Sequence, residues 1–179
     1  MRQPERTNPF ANVLERMIAD ADVFLQNLAP GAAARLGLGS AKLRERHPRL
    51  ITCDISGYGE HGSQQEMKAY DLLVQAESGL ISVSGAPGEW GRIGVSICDI
   101  AAGMNAAQGI LEALFLRERT GQGSALHVSL FDSAAELMAV PYLQARYGRA
   151  APQRGGLKHP SIAAYGAFTC RDGHEVVLA

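Results

Sequence analysis

The chain has 179 residues, of which 46% are hydrophobic and 20% are charged, as is typical of a globular protein with a hydrophobic core. The formal net charge of −1 excludes a strong electrostatic attraction to nucleic acid or to an anionic membrane. A small anion could still be held by a few local Arg and Lys side chains.

The three cysteines, Cys53, Cys98 and Cys170, are widely spaced and form no CxxC pair. This pattern argues against a disulfide framework and a zinc site, and it favours a reducing compartment. Residues 1–10 are polar and interrupted by proline, and no apolar run approaches the roughly 18 residues of a membrane span. We therefore expect a cytoplasmic protein with no membrane partner.

The first half of the chain predicts short helices and strands in alternation. Residues 1–11 are expected to form an irregular lead-in. Ser40 is a plausible N-cap and Pro48 a plausible stop for one of the helices. The predicted strands are 23–25 and 50–55, and the predicted helices are 12–19, 32–36, 40–47 and one from about residue 70.

The second half continues the alternation after a loop or irregular strand at 81–88. A long helix should begin at Asp99 and end before Gly121, because glycine is a common C-terminal stop. Pro141 should kink a later helix or start a new turn in it. The remaining predicted elements are a strand at 125–129, a helix at 132–147, a loop at 149–161 and strands at 165–169 and 175–178. Strand–helix alternation predicts an α/β fold with parallel strands.

Asp99 is the candidate functional residue that its position singles out. An apolar run over 92–98 ends at this acid, and a helix of small residues begins there. Free N–H groups of the first helical turn are expected to face the carboxylate and help to keep it ionised. An ionised carboxylate can act as a nucleophile toward an acyl carbon. The alternative is that Asp99 only caps the helix, which is a common role for Asp.

The other motifs of the sequence do not clearly indicate a catalytic or binding site. The glycine-rich segment 57–62 lacks the Lys-Ser/Thr of a phosphate-binding loop, so a structural turn is the simpler interpretation. The five His residues are scattered, and no cluster with metal-ligand spacing is visible, so we expect no metal site. Cys98 beside Asp99 is either a reactive thiol or a buried small apolar residue, and burial is the commoner fate of cysteine.

Several blocks in a fixed order together resemble the class III coenzyme A transferases. This family includes formyl-CoA:oxalate transferase, the α-methylacyl-CoA racemases and the mesaconyl- and itaconate-type CoA transferases. The resemblance runs from about residue 12 to the end, and its blocks are 21–31, 35–37, 48–51, 56–59, 68–71, 98–99, 117–123 and 129–132. It implies a Rossmann-like open parallel sheet with flanking helices, part of the larger domain of an interlaced dimer.

The resemblance also implies roles for individual residues. Asp99 matches the family's nucleophile, which forms a mixed anhydride with the donor acyl group and then an aspartyl-CoA thioester. Coenzyme A is a substrate in this chemistry, and neither a permanently bound cofactor nor a metal is implied. The positions that match CoA-contacting segments are Asn27, Leu28, Ala29, Arg35, Lys68, Ala69, Tyr70 and Asp71. Alternative roles are a turn for Asn27, a solvated surface for Arg35 and Lys68, and the core for Tyr70.

Position 70 separates two chemistries within the family. The racemases resemble this stretch but carry a His there as a base, whereas Tyr has an unperturbed pKa near 10 and is a poor base at neutral pH. This favours a transferase over a 2-methylacyl-CoA racemase. The blocks at 92–96, 140–142 and 156–168 look like the branch acting on mesaconate, itaconate, citramalate or succinate. Candidate cations for the second carboxylate of such an acid are Arg92, Arg154, Lys158 and His159.

Family members are longer than this chain, so we expect a partial member. Residues 12–148 are assigned to part of the large domain, and 149–179 to a loop and the start of a smaller domain that is cut short. The alternative to an active transferase is therefore an inactive remnant that still binds CoA. A homodimer is expected for the full-length protein.

Overall fold

The computed structural model describes residues 9–148 and 150–179. Helices and strands alternate along this part of the chain, so the predicted α/β class is confirmed. The helices are α1 Pro9–Ala19, α2 Ala32–Arg35, α3 Ser40–Arg46, α4 Asp71–Glu77, α5 Leu80–Val83, α6 Ile97–Thr120, α7 Leu130–Leu137 and α8 Ala139–Tyr147. The strands are β1 Val23–Gln26, β2 Ile51–Ser56, β3 Ala125–Ser129, β4 Gly166–Thr169 and β5 Glu175–Leu178.

Strands β1, β2 and β3 form a parallel sheet in that order. The central strand β2 begins with Ile51, Thr52 and Cys53, all fully buried. A parallel strand covered on both faces reads as a nearly continuous apolar run, which is why this strand was recognisable in the sequence.

The chain divides into two compact units. The first extends from α1 to Glu66 and includes Gly103–Ser129, so it contains the parallel sheet. Its core is formed by Ile18, Leu43 and Leu50. Gly123 precedes β3, and a Cβ atom there would lie 2.0 Å from the Leu50 carbonyl oxygen. Only glycine allows this close backbone approach.

The second unit comprises Met67–Ala102 and Leu130–Ala179. Helices α4 and α7 pack against each other in it, and Val74 and Ala134 are fully buried. Strands β4 and β5 form an antiparallel hairpin close to the positions predicted for the last two strands. Its turn contains Gly173 at φ +84°, a backbone conformation that glycine adopts without strain.

The structure corrects several local predictions. The first helix begins at Pro9, within the expected lead-in, whose residues 1–8 lie outside the described residues. Gly79, at φ +86°, separates α4 from α5, so the start of the expected loop or strand at 81–88 is helical. Met138 divides the single helix expected at 132–147 into α7 and α8. The expected domain boundary at 149 also falls on a position outside the described residues and stays a prediction.

Ser40 is the first residue of α3 and does not cap it. The N-cap position is Gly39, and the Ser40 hydroxyl donates instead to the carboxylate of Asp54. Of the helices in the described part of the chain, none combines the length and the apolar character needed to cross a membrane.

Candidate active site

Asp99 lies in the first turn of the longest helix of the second half of the chain. Helix α6 begins at Ile97, two residues earlier than predicted, so Asp99 is its third residue and not its N-cap. The preceding apolar run forms no strand. The side chain of Asp99 is exposed, which leaves its carboxylate accessible to a ligand. The C-terminal end was predicted correctly, since the helix stops at Thr120 and Gly121 follows at φ +72°.

A second acid, Asp71, supports the start of this helix. Asp71 is the first residue of α4 and is buried. Its Oδ1 accepts a hydrogen bond from the backbone N–H of Cys98 at 2.9 Å, and its Oδ2 accepts one from the Gln75 side-chain amide at 2.7 Å. The N–H group of Cys98, which we expected to face Asp99, therefore donates its hydrogen bond to Asp71.

The Gln75 side chain connects α4 by hydrogen bonds to the segment that leads into α6. Its Nε2 donates to the Ile93 carbonyl oxygen at 3.4 Å, and its Oε1 accepts from the Ile93 N–H at 2.9 Å. The side chain is fully buried. Asp71 and Gln75 together thus bind the segment 93–98 at both of its ends.

The electrostatics of Asp99 differ from the expectation. Partial removal of water raises the pKa of the Asp99 carboxyl above its ordinary value, and the negative charge of Asp71 raises it further. Both effects oppose the contribution expected from the N–H groups of the helix start, and the net shift of the Asp99 pKa is upward. Burial, with Asp71 and Asp99 nearby, raises the pKa of the Cys98 thiol to about 12. Cys98 is fully buried, so the alternative of a reactive thiol is not supported.

The other residues of the 68–71 segment precede α4 in the same unit. Lys68 and Tyr70 are exposed and Ala69 is half-buried. Tyr70 is 71% exposed, which excludes the core alternative for it. Because Asp71 binds the first turn of α6, the structure brings this segment and Asp99 together.

The remaining predicted contacts lie in the first unit, where a cavity of about 790 Å³ opens beside the carboxyl ends of β1 and β2. Leu28 and Ala29 are among the described residues that line this cavity. Asn27 and Arg35 are not among them, and both are exposed. Further lining residues are Gln26, Pro30, Ser40, Lys42, Asp54, Ser56, His61 and His127. Crevices at the carboxyl ends of parallel strands are the usual ligand sites of α/β folds.

A row of polar side chains crosses the sheet under this cavity. Gln26, Asp54 and His127 are aligned in the register of β1, β2 and β3, and the Gln26 amide donates to Asp54 at 2.8 Å. His127 Nδ1 lies 3.0 Å from a carboxylate oxygen of Glu60. Atoms of Asp54, Glu60 and His127 lie within 4.8 Å of one another, so the structure contains a cluster of metal-ligating residue types that we did not expect.

The cluster was missed because its members are distant in sequence. Polar residues near the ends of adjacent parallel strands were the available signal, but using it requires the register of the sheet.

The four candidate cations for an acceptor acid lie in the second unit. Arg154 lies over the ring of Trp90, 5.4 Å from its centre. The Arg92 guanidinium donates to the carbonyl oxygens of Ile93 and Gly94 at 3.1 and 3.2 Å. The His159 ring nitrogen accepts N–H groups of the following loop, and Lys158 is exposed. The side chains of Arg92 and His159 therefore already bind local backbone.

A parallel sheet with a cavity at its carboxyl ends is typical of α/β proteins that bind ligands. The second unit separately holds an accessible acid, Asp99, in a first helical turn, which makes it a candidate carboxylate nucleophile. A family model described as CoA-transferase family III matches residues 7–179. The chain belongs to this family, which confirms the resemblance.

Named relatives include two CoA-transferases. The chain is 37% identical over 163 residues to an acetyl-CoA:oxalate CoA-transferase of Acetobacter aceti, covering 90% of this chain and 42% of the relative. It is 31% identical over 180 residues to a succinyl-CoA:mesaconate CoA-transferase of Haloarcula hispanica, covering 98% of this chain and 44% of the relative. The chain thus spans less than half the length of these relatives.

The fold is similar to that of a solved protein. A crystal structure of a CAIB/BAIF family protein from Brucella suis matches 97% of this chain and 46% of its own, with a TM-score of 0.88 and 32% sequence identity. The mixed α/β architecture with a parallel three-stranded sheet is therefore shared with it.

Proposed function

We propose that Asp99 is the nucleophile of a CoA-transfer reaction between an acyl-CoA and a small carboxylic acid. Family membership supports CoA transfer in general. The observation that carries the role of Asp99 is its exposed carboxylate in the first turn of α6, beside a segment implied to contact CoA. A nucleophile needs this accessibility, because the acyl carbon must approach one of its oxygens.

The reaction requires only two carboxylates and one thioester. A carboxylate oxygen of Asp99 attacks the acyl carbon of the donor, the C–S bond breaks, and CoA leaves as a thiolate. The thiolate attacks the aspartyl carbon of the mixed anhydride, which releases the donor acid and leaves an aspartyl-CoA thioester. The acceptor carboxylate attacks this thioester to form a second anhydride, and the returning thiolate attacks the acceptor carbon. The new acyl-CoA departs and the Asp99 carboxylate is restored.

The raised pKa of Asp99 suits this role. A carboxylate of higher pKa is more basic and hence a stronger nucleophile once it is ionised. The same shift means that acylation is lost as the pH falls through the raised pKa, because the protonated acid has no charged oxygen to attack with.

We further propose that CoA is held by the residues implied by the resemblance, with the exception of Asp71, whose two carboxylate oxygens accept hydrogen bonds inside the protein. Leu28 and Ala29 line the cavity of the first unit, and Lys68 and Tyr70 are exposed beside the segment that reaches α6. The acceptor is proposed to be a small dicarboxylic acid, and the names of the oxalate and mesaconate relatives support this class. Among the candidate cations we favour Arg154 for binding a second carboxylate, because it is half-buried against Trp90 whereas Arg92 and His159 already bind local backbone.

A cytoplasmic location and a homodimer of the full-length protein remain proposals. Support for the dimer comes from helix α6, where Met104, Leu111 and Phe115 of the first unit are each more than 60% exposed. Exposed apolar side chains repeated at intervals of seven and four residues along one helix are typical of a surface that another protein covers.

The experiment uses acetyl-CoA or succinyl-CoA together with hydroxylamine, which converts an aspartyl anhydride or thioester into a hydroxamate. Peptide mass spectrometry then locates the modification. We expect it on the peptide containing Asp99, and we expect none there in Asp99→Asn. The matched control Asp20→Asn, which changes an exposed acid of the first unit, should be modified like the unmutated chain. Equal modification of the Asp99→Asn chain elsewhere would count against the proposal.

A second candidate function is CoA binding without turnover. It is favoured by the cavity, which is lined entirely by residues of the first unit. Calorimetric titration with CoA distinguishes the two candidates when it is combined with the trapping experiment. Binding with an unmodified Asp99 supports the second candidate, and turnover by this chain excludes it.

A further inference from the structure

Asp71 is the buried acid that the proposed reaction does not use. The resemblance implied that it contacts CoA, but both of its carboxylate oxygens are engaged inside the protein. Oδ1 accepts from the Cys98 N–H at 2.9 Å and Oδ2 from the Gln75 amide at 2.7 Å. A buried carboxylate with these partners is not free to bind a ligand.

We propose that Asp71 and Gln75 form a clamp that fixes the first turn of α6 and thereby positions the carboxylate of Asp99. Asp71 is then a positioning residue and not a CoA contact. The inference rests on the proposed role of Asp99 as nucleophile.

The clamp acts at both ends of the segment that leads into the helix. Gln75 binds the backbone N–H and carbonyl of Ile93, and Asp71 binds the N–H of Cys98. Both clamp side chains come from α4 and are one turn apart, so a single rigid element sets the geometry. Asp99 follows Cys98 directly, and its backbone has little freedom once Cys98 is fixed.

The chemistry at position 71 requires a carboxylate. Asp71 must accept two hydrogen bonds, one from each direction, and an ionised carboxylate is an acceptor on both oxygens. An Asn side chain would direct an N–H group either at the Cys98 N–H or at the Gln75 amide. Turning the Gln75 amide round to relieve this would break its bonds to Ile93. The Gln75 and Asp71 side chains are therefore matched to each other.

Asp71 also sets the charge environment of the nucleophile. Its negative charge raises the pKa of the Asp99 carboxyl, after the larger effect of lost solvation. The titratable groups against Asp99 are Asp71 from α4 and Cys98 from its own helix. Helix α7, which packs against α4, carries Asp132 and Glu136, both exposed. Removing the charge at position 71 should accordingly lower the pKa of Asp99.

The test compares Asp71→Asn with Glu77→Gln, which removes an exposed acid from the same helix. Carbon-13 NMR of labelled aspartate follows the titration of Asp99, calorimetry gives the affinity for CoA, and hydroxylamine trapping at saturating acetyl-CoA gives the acylation rate. For Asp71→Asn we expect a lower pKa of Asp99, an unchanged CoA affinity and an acylation rate reduced about 100-fold, as for a misplaced reacting group. Glu77→Gln should change none of the three.

Weaker CoA binding with an unchanged acylation rate at saturation would overturn the proposal, since Asp71 would then be a CoA contact. An unchanged pKa of Asp99 would also overturn it. If Asp71→Asn does not fold, amide hydrogen exchange of the unmutated chain decides. The N–H groups of Cys98 and Ile93 should exchange far more slowly than that of Gly94, and equal rates contradict the clamp. The NMR and exchange results hold even if Asp99 is never acylated, so a failed clamp and a failed nucleophile are distinguishable.

Discussion

Arg117 gives the sharpest stability prediction of the first unit. It lies in the last turn of α6 and is buried, and its guanidinium connects the helix to the starts of two strands. Nη2 lies 2.8 Å from the Asp22 carboxylate, and Nη1 donates to the Arg49 carbonyl oxygen at 3.2 Å. The Asp22 side chain is 74% exposed, so the ion pair contributes at most about 1 kcal/mol. The partly buried hydrogen bond from the charged donor to the Arg49 carbonyl oxygen adds about 1.5–3 kcal/mol.

Arg117→Met keeps most of the apolar stem and removes these polar contacts. We expect the free energy of unfolding to fall by about 2–4 kcal/mol, seen in urea titration as a lower midpoint with an unchanged slope. Arg119→Met is the matched control, since Arg119 occupies the same turn but lies over the exposed ring of Phe115. The free energy of unfolding of Arg119→Met should fall by no more than about 1 kcal/mol. Equal losses in the two variants would refute the reasoning.

Three further predictions concern backbone, thiols and pH. Gly123→Ala should lower the free energy of unfolding by about 3 kcal/mol or more, because its Cβ would meet the Leu50 carbonyl at 2.0 Å. Gly103→Ala, in a helix with open space around the new Cβ, should raise it by about 0.5–1 kcal/mol, and thermal unfolding checks both. Iodoacetamide at mild alkaline pH should label exposed Cys170 and spare buried Cys98, whose pKa is raised to about 12; labelling of Cys98 in the folded chain contradicts this. The rate of Asp99 acylation, followed by hydroxylamine trapping, should fall as the pH decreases. The pH at which this rate is half of its maximum should lie above the ordinary carboxyl pKa, because the pKa of Asp99 is raised.

Local sequence patterns were sufficient for much of the fold. The strands β3 and β5 match their predicted bounds, since each is a short run of β-forming residues between turn residues. The end of α6 was equally clear from Gly121. The division of α7 from α8 at Met138 was not, because the residues on both sides favour a helix and the break depends on packing.

Some features of the candidate site could likewise be predicted from local sequence patterns, and others could not. The position of Asp99 at a helix start could be recognised from small residues following an apolar run, and its family from spaced blocks. The support from Asp71 and Gln75 could not be recognised, because it depends on α4 lying against the segment before α6. The pairing of Asp54 with His127 likewise depends on the register of β2 and β3. Contacts between distant segments are not encoded in any local pattern.

The most direct test of the account is the chemical state of one side chain. The chain is incubated with succinyl-CoA and hydroxylamine, digested, and the peptide containing Asp99 is analysed by mass spectrometry. We expect an aspartyl hydroxamate at Asp99 that is absent from Asp99→Asn. An unmodified Asp99 in a folded chain that transfers CoA between acids would contradict it.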